Sequence, residues 1–427
     1  MNKEQIIEVL NKWNFWNKNF DVGVQRNSYL ENLKKLVKTG QIVAVTGVRR
    51  SGKSTLLKQF IQMQIVQGEE KTLFLYVNLE EPTFTGLLSL EFLNTIYQAY
   101  LEILKPKSKP YIILDEVQKV PEWEKFVRGI HEKNEAHILI SGSASHIVEG
   151  NMGVLLTGRW VHLKVYPLSF KEFLSFKNIQ VQNTLDILSQ NTIIKGFLRE
   201  YLEFGGFPLA VLTSEKEEIL NRYFDDIVTR DVSEKYHIRK TEKVKTLAKY
   251  YLTTFSSRVS YRNISSFIGL SLDSVERYSS YLTESSLIYF VKKFSYSLLQ
   301  QEKNQRKVYG SDTGLINSAS LKFSENIGKL YENTTFLHLC RQEKEVYYYA
   351  GKKECDFVIK EGKNVTQVIQ VAYIIHENKK REVEGLLEAM TFFKLQKGTI
   401  LTENVETEEK IEGKTILYKP LWKWLLQ

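Results

Sequence analysis

A chain of 427 residues, 43% hydrophobic and 26% charged, has the make-up of an ordinary globular protein with room for two or three domains. Its two cysteines, Cys340 and Cys355, exclude a disulfide framework or a metal-binding cysteine quartet. No apolar run approaches the length of a membrane span, and the start Met1-Asn2-Lys3-Glu4-Gln5 has no apolar signal region, so no membrane partner and a cytoplasmic location are expected.

The first informative stretch is Ile42-Val43-Ala44-Val45, a β-branched run that reads as a buried parallel strand. Gly47-Val48-Arg49-Arg50-Ser51-Gly52-Lys53-Ser54 follows, a complete G-x-x-x-x-G-K-[ST] loop, and the segment from Thr55 to Ile61 reads as a helix. Strand, glycine-rich turn and helix N-terminus together form an anion site, because successive N–H groups and the positive helix end converge on phosphate. Residues 47–55 are therefore expected to bind ATP. Lys53 would reach the β- and γ-phosphates, and Ser54 would bind Mg²⁺ through its hydroxyl.

Leu73-Phe74-Leu75-Tyr76-Val77 is a second buried strand, and Tyr111-Ile112-Ile113-Leu114 a third that ends in Asp115-Glu116. Downstream of a phosphate loop that acidic pair has a specific meaning: Asp115 for the Mg²⁺ shell, Glu116 as the base that polarises the attacking water. His137 to Ser143 reads as a fourth strand. Its terminal Ser141 and Ser143 stand where ligands of open parallel sheets bind, and either a γ-phosphate sensor or a plain turn fits them. Strands alternating with helices indicate a doubly wound α/β P-loop NTPase domain.

These motifs, with Val117-Gln118-Lys119-Val120-Pro121, Gly158-Arg159, Pro167-Leu168-Ser169-Phe170 and Gly205-Gly206-Phe207-Pro208, resemble prokaryotic ATPases of the AAA+ superfamily that carry a C-terminal domain of unknown function. The resemblance spans nearly the whole chain and implies an ATPase domain over residues 1–210. It also implies that Arg159 is a candidate catalytic arginine at the γ-phosphate, with a structural arginine as the alternative. Arg49 and Arg50 would add positive potential near phosphate.

The net charge of +9 is confined to one segment, since residues 235–310 hold 14 Lys and Arg against 5 Asp and Glu. Such an excess marks either a polyanion-binding surface or a solvated lysine-rich face. Residues 211–325 read as a helical lid and a winged helix-turn-helix. Leu272, Val275, Tyr278 and Leu282 face its core, while Ser271, Ser274 and Arg277 point outward with Asp273 and Glu276. Lys303, Arg306 and Lys307 are placed on the wing, and the partner would be DNA or a protein.

Residues 326–427 read as helix, strands, helix, strand, which resembles the restriction-endonuclease-like fold. That resemblance implies an active site of an acid followed by a Glu or Gln two residues before a Lys. Asp356 and Gln370 fill the first two places, but Ala372 stands where the lysine belongs. Glu332, Asp356 and Gln370, with Glu354 nearby, remain a possible second metal site of hard oxygen donors. The expected protein is a nucleotide-controlled ATPase switch with a degenerate nuclease-like domain. Its alternatives are an ATP-dependent nuclease with lysine supplied by Lys352, Lys353, Lys379 or Lys380, and an ATP-binding docking scaffold without turnover.

Overall fold

A computed structural model describes residues 1–142, 158–319 and 327–427, with Glu377 and Asn378 described by backbone alone; Ser143 lies outside these residues. The chain divides into two compact units, residues 1–165 and 166–427. The expected boundary at residue 210 falls inside the second. Among the described residues, no helix is long and apolar enough to cross a membrane.

The first unit is built on five parallel strands: β1 (Ile42–Thr46), β2 (Phe74–Asn78), β3 (Tyr111–Asp115), β4 (His137–Gly142) and β5 (Trp160–Lys164), in the order β2-β3-β4-β1-β5. Alternate residues feed two separate cores, as the two-residue period of a strand requires. Ile42, Ala44, Ile112, Leu114, Ile138 and Ile140 face one core; Val43, Val45, Ile113, Leu139 and Leu163 face the other. Helices α1 (Lys3–Asn11), α4 (Leu90–Leu104) and α5 (Trp123–Glu132) cover the first face, and α2 (Asn27–Val37) and α3 (Lys53–Val66) the second. Helix α5 shows the sequence logic: Trp123, Phe126, Val127 and Ile130 repeat at helical spacing and all are buried. Both faces being covered explains why the strands are apolar runs instead of alternating patterns.

The second unit begins with helices. Ser169 caps α6 (Phe170–Phe176) through a reciprocal box with Glu172: Ser169 N–H donates to Glu172 at 2.8 Å, and Glu172 N–H donates to Ser169 at 3.3 Å. Helices α7 (Asn191–Phe204) and α8 (Lys216–Asp226) follow. Gly205-Gly206 then meets Asp312, whose buried carboxylate accepts the Gly206 N–H at 2.7 Å and the Gly314 N–H at 2.9 Å. Burial pushes that carboxyl up to about 6 against the pull of these donors. Two of the motifs that suggested an ATPase family are therefore structural fastenings in this unit.

Residues 241–310 form α9 (Thr241–Thr253), β6 (Ser257–Val259), α10 (Tyr261–Ile268), α11 (Leu272–Glu284), β7 (Ile288–Val291) and β8 (Arg306–Gly310). The three strands make an antiparallel sheet in the order β6-β8-β7. Gly269, at φ +68°, ends α10 in the left-handed region, and the Ser271 hydroxyl caps α11 by accepting the Ser274 N–H at 3.2 Å. Val275, Ser279 and Leu282 are the buried face of α11, whereas Leu272 is 37% exposed, correcting its expected core position.

The last module places α13 (Ile327–Arg341), after the short α12 (Thr313–Ala319), beside a six-stranded sheet of β9 (Glu345–Ala350), β10 (Glu354–Glu361), β11 (Asn364–Val371), β12 (Lys397–Thr402), β13 (Thr407–Ile411) and β14 (Lys414–Pro420). The order is β13-β14-β12-β11-β10-β9; α14 (Ile375–Phe392) crosses between the parallel neighbours β11 and β12. The β9–β10 register shifts between Cys355 and Val358, a bulge that falls on Asp356.

Candidate functional site

The phosphate-loop sequence lies between the carboxyl end of β1 and the first turn of α3. Gly52 precedes α3 at φ +96°, and a Cβ on Gly47 would collide with the Val165 carbonyl, so both glycines are required by geometry. Val48 and Ser51 are buried, Arg49 is half-buried, and Arg50 and Thr55 are exposed. Lys53 is 7% exposed, and its ammonium donates to the carbonyls of Gly47 at 3.2 Å and Val48 at 3.3 Å. The loop thus curls around its own cation. Arg26, itself buried, braces it from outside by donating to the Ser51 carbonyl at 3.0 Å. The buried Ser51 hydroxyl has no partner among the described residues, a spare donor that suits an anion cradle.

Asp115 ends β3, and β4 stands between that strand and β1, so Ser141 at the end of β4 lies beside it. One Asp115 oxygen accepts the Ser141 hydroxyl and the other the Tyr76 hydroxyl. Burial together with the Asp115 charge raises the Tyr76 phenol well above the ordinary range, and Ser54 stands on its other side. The Tyr76 hydroxyl thus stands between Ser54 and Asp115. These two oxygens are the hard donors that Mg²⁺ takes, and they are the residues that would hold it beside the phosphates. Glu116 adopts a left-handed φ of +60° directly after β3. Its N–H donates to the Ser141 hydroxyl at 3.1 Å, and its carboxylate accepts from the Gln118 amide at 2.6 Å. Ser141, one of the serines considered as a phosphate sensor, is engaged here with both acidic residues.

Tyr76→Phe should leave the fold intact but loosen Asp115. The expected result is a Mg²⁺ requirement for ATP turnover raised about 10-fold or more, read from activity against Mg²⁺ concentration. An unchanged requirement would make Tyr76 a packing residue only.

Arg159 is not brought to this loop. It immediately precedes β5 at the amino edge of the sheet, where its carbonyl accepts the Ile42 N–H and its guanidinium pairs with Glu132 at 3.3 Å. The five residues of β5 separate it from the carboxyl edge by about 16 Å. As a residue contacting the γ-phosphate of its own chain, Arg159 is corrected to a surface ion pair.

Residues 39–174 match the family model described as an AAA domain, and residues 195–326 match a domain of unknown function. An uncharacterised protein of Methanocaldococcus jannaschii is 34% identical over 406 residues, covering 90% of this chain and 88% of its own. An uncharacterised protein of Haemophilus influenzae is 30% identical over 414 residues, covering 95% and 99%. The chain belongs to this family of AAA-domain proteins. Among solved structures, a Walker-type ATPase of Pyrococcus abyssi is similar over 70% of this chain and 96% of its own, at 13% identity and a TM-score of 0.43. Cdc6p of Pyrobaculum aerophilum is similar over 73% and 94%, at 10% identity and a TM-score of 0.30.

The second unit of this AAA-domain protein holds a constellation that sequence reasoning only half found. Glu332 from α13, with Glu354 and Asp356 from β10, converges on one ammonium, that of Lys307 from β8. The distances are 2.9 Å to Glu332, 2.7 Å to Glu354 and 2.9 Å to Asp356. Lys307 is 2% exposed, so its assignment to a DNA-contacting wing is corrected: it is a buried counter-ion. Tyr309, two residues on and on the same strand face, also donates to Glu332 at 2.7 Å. Gln370 completes the ring. Its oxygen accepts the Asp356 N–H at 3.1 Å and its amide donates to Glu382 at 2.6 Å.

A lysine does stand among these acids, but it is none of the four candidates that the nuclease alternative offered. Lys353 pairs with Glu384 and Lys379 with Glu409, each at 2.9 Å, while no contact of Lys352 or Lys380 with the ring is described. Ala372 is buried in the module's apolar core. Burial and the neighbouring Asp356 raise the Glu332 carboxyl to about 7 against the pull of Lys307. As a metal site the trio Glu332, Asp356 and Gln370 is revised, because a cation of the protein's own already stands among its oxygens.

Proposed function

We propose that this AAA-domain protein binds and hydrolyses ATP, and that its nucleotide state switches the second unit's hold on DNA. The observation that carries the ATPase reading is the Lys53 loop at the end of β1, with Asp115, fixed by Tyr76 and Ser141, and the adjacent Glu116 at the end of β3. With ATP present, Lys53 would trade its carbonyl partners for phosphate oxygens, and the α3 N-terminus would add its dipole. Bound Mg²⁺ supplies charge neutralisation at the β- and γ-phosphates. Glu116, held by Gln118 and Ser141, is the carboxylate that would take a proton from the attacking water.

Glu116→Gln preserves the shape and removes the base. ATP should bind with near wild-type affinity while phosphate release falls by about 10²–10⁴-fold. Wild-type release would remove Glu116 from this role. A wild-type protein that binds ATP without releasing phosphate would favour the docking scaffold.

The DNA reading is supported by the basic segment and by the order α9, α10, α11 followed by the antiparallel β7–β8 pair, which resembles a winged helix-turn-helix with a short helix, Leu298–Lys303, between the two strands. The C-terminal sheet with its crossover helix supports the restriction-endonuclease-like resemblance. Cleavage is not part of the proposal, since the Lys307 ammonium sits between the carboxylates that a metal would need.

A further inference from the structure

Two clefts of the basic segment differ in charge. The larger of the two, of about 1000 Å³, opens beside β7 and β8 and sets Glu276 and Glu302 against three cations, Arg262, Lys303 and Arg306. Glu302 pairs with Arg306 at 2.8 Å and also with Lys292. With Lys307 buried and Arg306 paired, Lys303 is the exposed cation of the three placed on the wing.

The second cleft, about 680 Å³, lies where residues 236–240 meet the amino end of α11. Arg239, Lys240 and Arg277 line it, all three are exposed, and no acidic side chain is in the lining. Ser271 and Ser274, the capping pair of α11, stand at the same mouth, so the helix dipole adds to the three cations. One wall is rigid. The Tyr236 and Tyr281 rings stack face to face with centroids 3.6 Å apart, and the Tyr236 hydroxyl donates to Glu284. The Arg277 guanidinium lies 5.6 Å from the Tyr278 ring centre, which holds the long side chain extended at the rim.

We propose that this cleft, and not the wing, grips the phosphate backbone of DNA. The inference deepens the DNA reading given above and rests on it. Three exposed cations without a carboxylate among them form the kind of surface on which released counter-ions drive association. The serine hydroxyls at the helix end are short donors suited to an intervening phosphate. Because the contacts go to backbone, binding should depend weakly on sequence.

The test compares three proteins by fluorescence anisotropy on a short mixed-sequence duplex across a salt series: wild type, Arg239→Gln/Lys240→Gln/Arg277→Gln, and Lys292→Gln/Lys303→Gln/Arg306→Gln. Far-UV circular dichroism and thermal melting verify that both variants are folded. Losing three phosphate contacts should reduce the slope of log affinity against log salt by about 2.7 units for the cleft variant. The wing variant should change it by less than one contact's worth. A steep wild-type slope retained in the cleft variant would overturn the cleft assignment while leaving DNA binding intact. If the wild type binds no duplex even at low salt, DNA binding and the cleft assignment both fall, and an acidic protein partner takes their place.

Discussion

Lys53→Ala should be the most damaging single change to nucleotide chemistry in this protein. The ammonium is buried in the curl of the loop and held by two carbonyls. Alanine leaves the N–H groups of the loop in place but removes the charge proposed to face the β/γ-phosphates. Loss of a single stabiliser of developing charge costs about 10²–10³ in rate, so phosphate release should fall to background. ATP affinity, read by a fluorescent analogue, should fall with it. Stability should barely move, because the two bonds lost are to loop carbonyls that water can satisfy. A Lys53→Ala protein that turns over ATP at the wild-type rate would place the chemistry elsewhere.

Lys307→Met should have the largest effect on stability. It leaves Glu332, Glu354 and Asp356 facing one another without the cation they share. Removing one partner of a buried ion pair costs roughly 3–5 kcal/mol, which should lower the melting temperature of the second unit by about 10 °C or more. Adding Glu332→Gln and Asp356→Asn to the same protein should recover much of that loss, since of the three only Glu354 then stays charged, and it keeps its pair with Arg258.

The pH dependence gives an independent sign. In the wild type the Glu332 carboxyl is raised to about 7, chiefly by burial and then by Asp356. A folded value above the unfolded one means a contribution that is complete below about pH 4.3 and is lost as pH rises through about 7. Glu354 is shifted downward despite its burial, by Lys307 and then Arg258. Without Lys307 the Glu332 carboxyl rises further. The deficit of Lys307→Met should therefore be greatest near neutral pH and narrow as pH falls toward about 5. A deficit independent of pH across that range would mean that Lys307 acts through packing alone.

What could be read in advance follows from where each signal resides. The strands of the first unit were legible because runs such as Ile42–Val45 and Ile112–Leu114 are apolar on both faces, and the loop between β1 and α3 because its residue types are dictated by backbone conformation. Arg159 was misplaced by resemblance, although its position just before a strand already put it at the amino edge, away from where open sheets bind ligands. The Tyr76 bond to Asp115 was not legible, since Tyr76 reads as one more aromatic in a buried strand.

Lys307 was misread for a subtler reason. A lysine in a basic segment looks solvated, and its partners arrive from 25 and 49 residues away in the chain. Strand alternation held the clue: Lys307 and Tyr309 share a face, and Tyr309 is an inward residue. An inward lysine needs carboxylates, and the acidic residues of the last module, assigned to a possible second metal, were the ones to supply them.

The position of that lysine also bears on how such chains can be cut or exchanged. The match to the domain of unknown function ends at residue 326, just ahead of Glu332, so the natural place to divide the polypeptide runs through the ion cluster. Severed there, the amino fragment carries a cation that has lost its cage, and the carboxyl fragment carries a cage that has lost its cation. The last module is thus portable only together with strand β8. A hybrid that joins it to a foreign front end should misfold unless that strand, or a lysine in its stead, travels along.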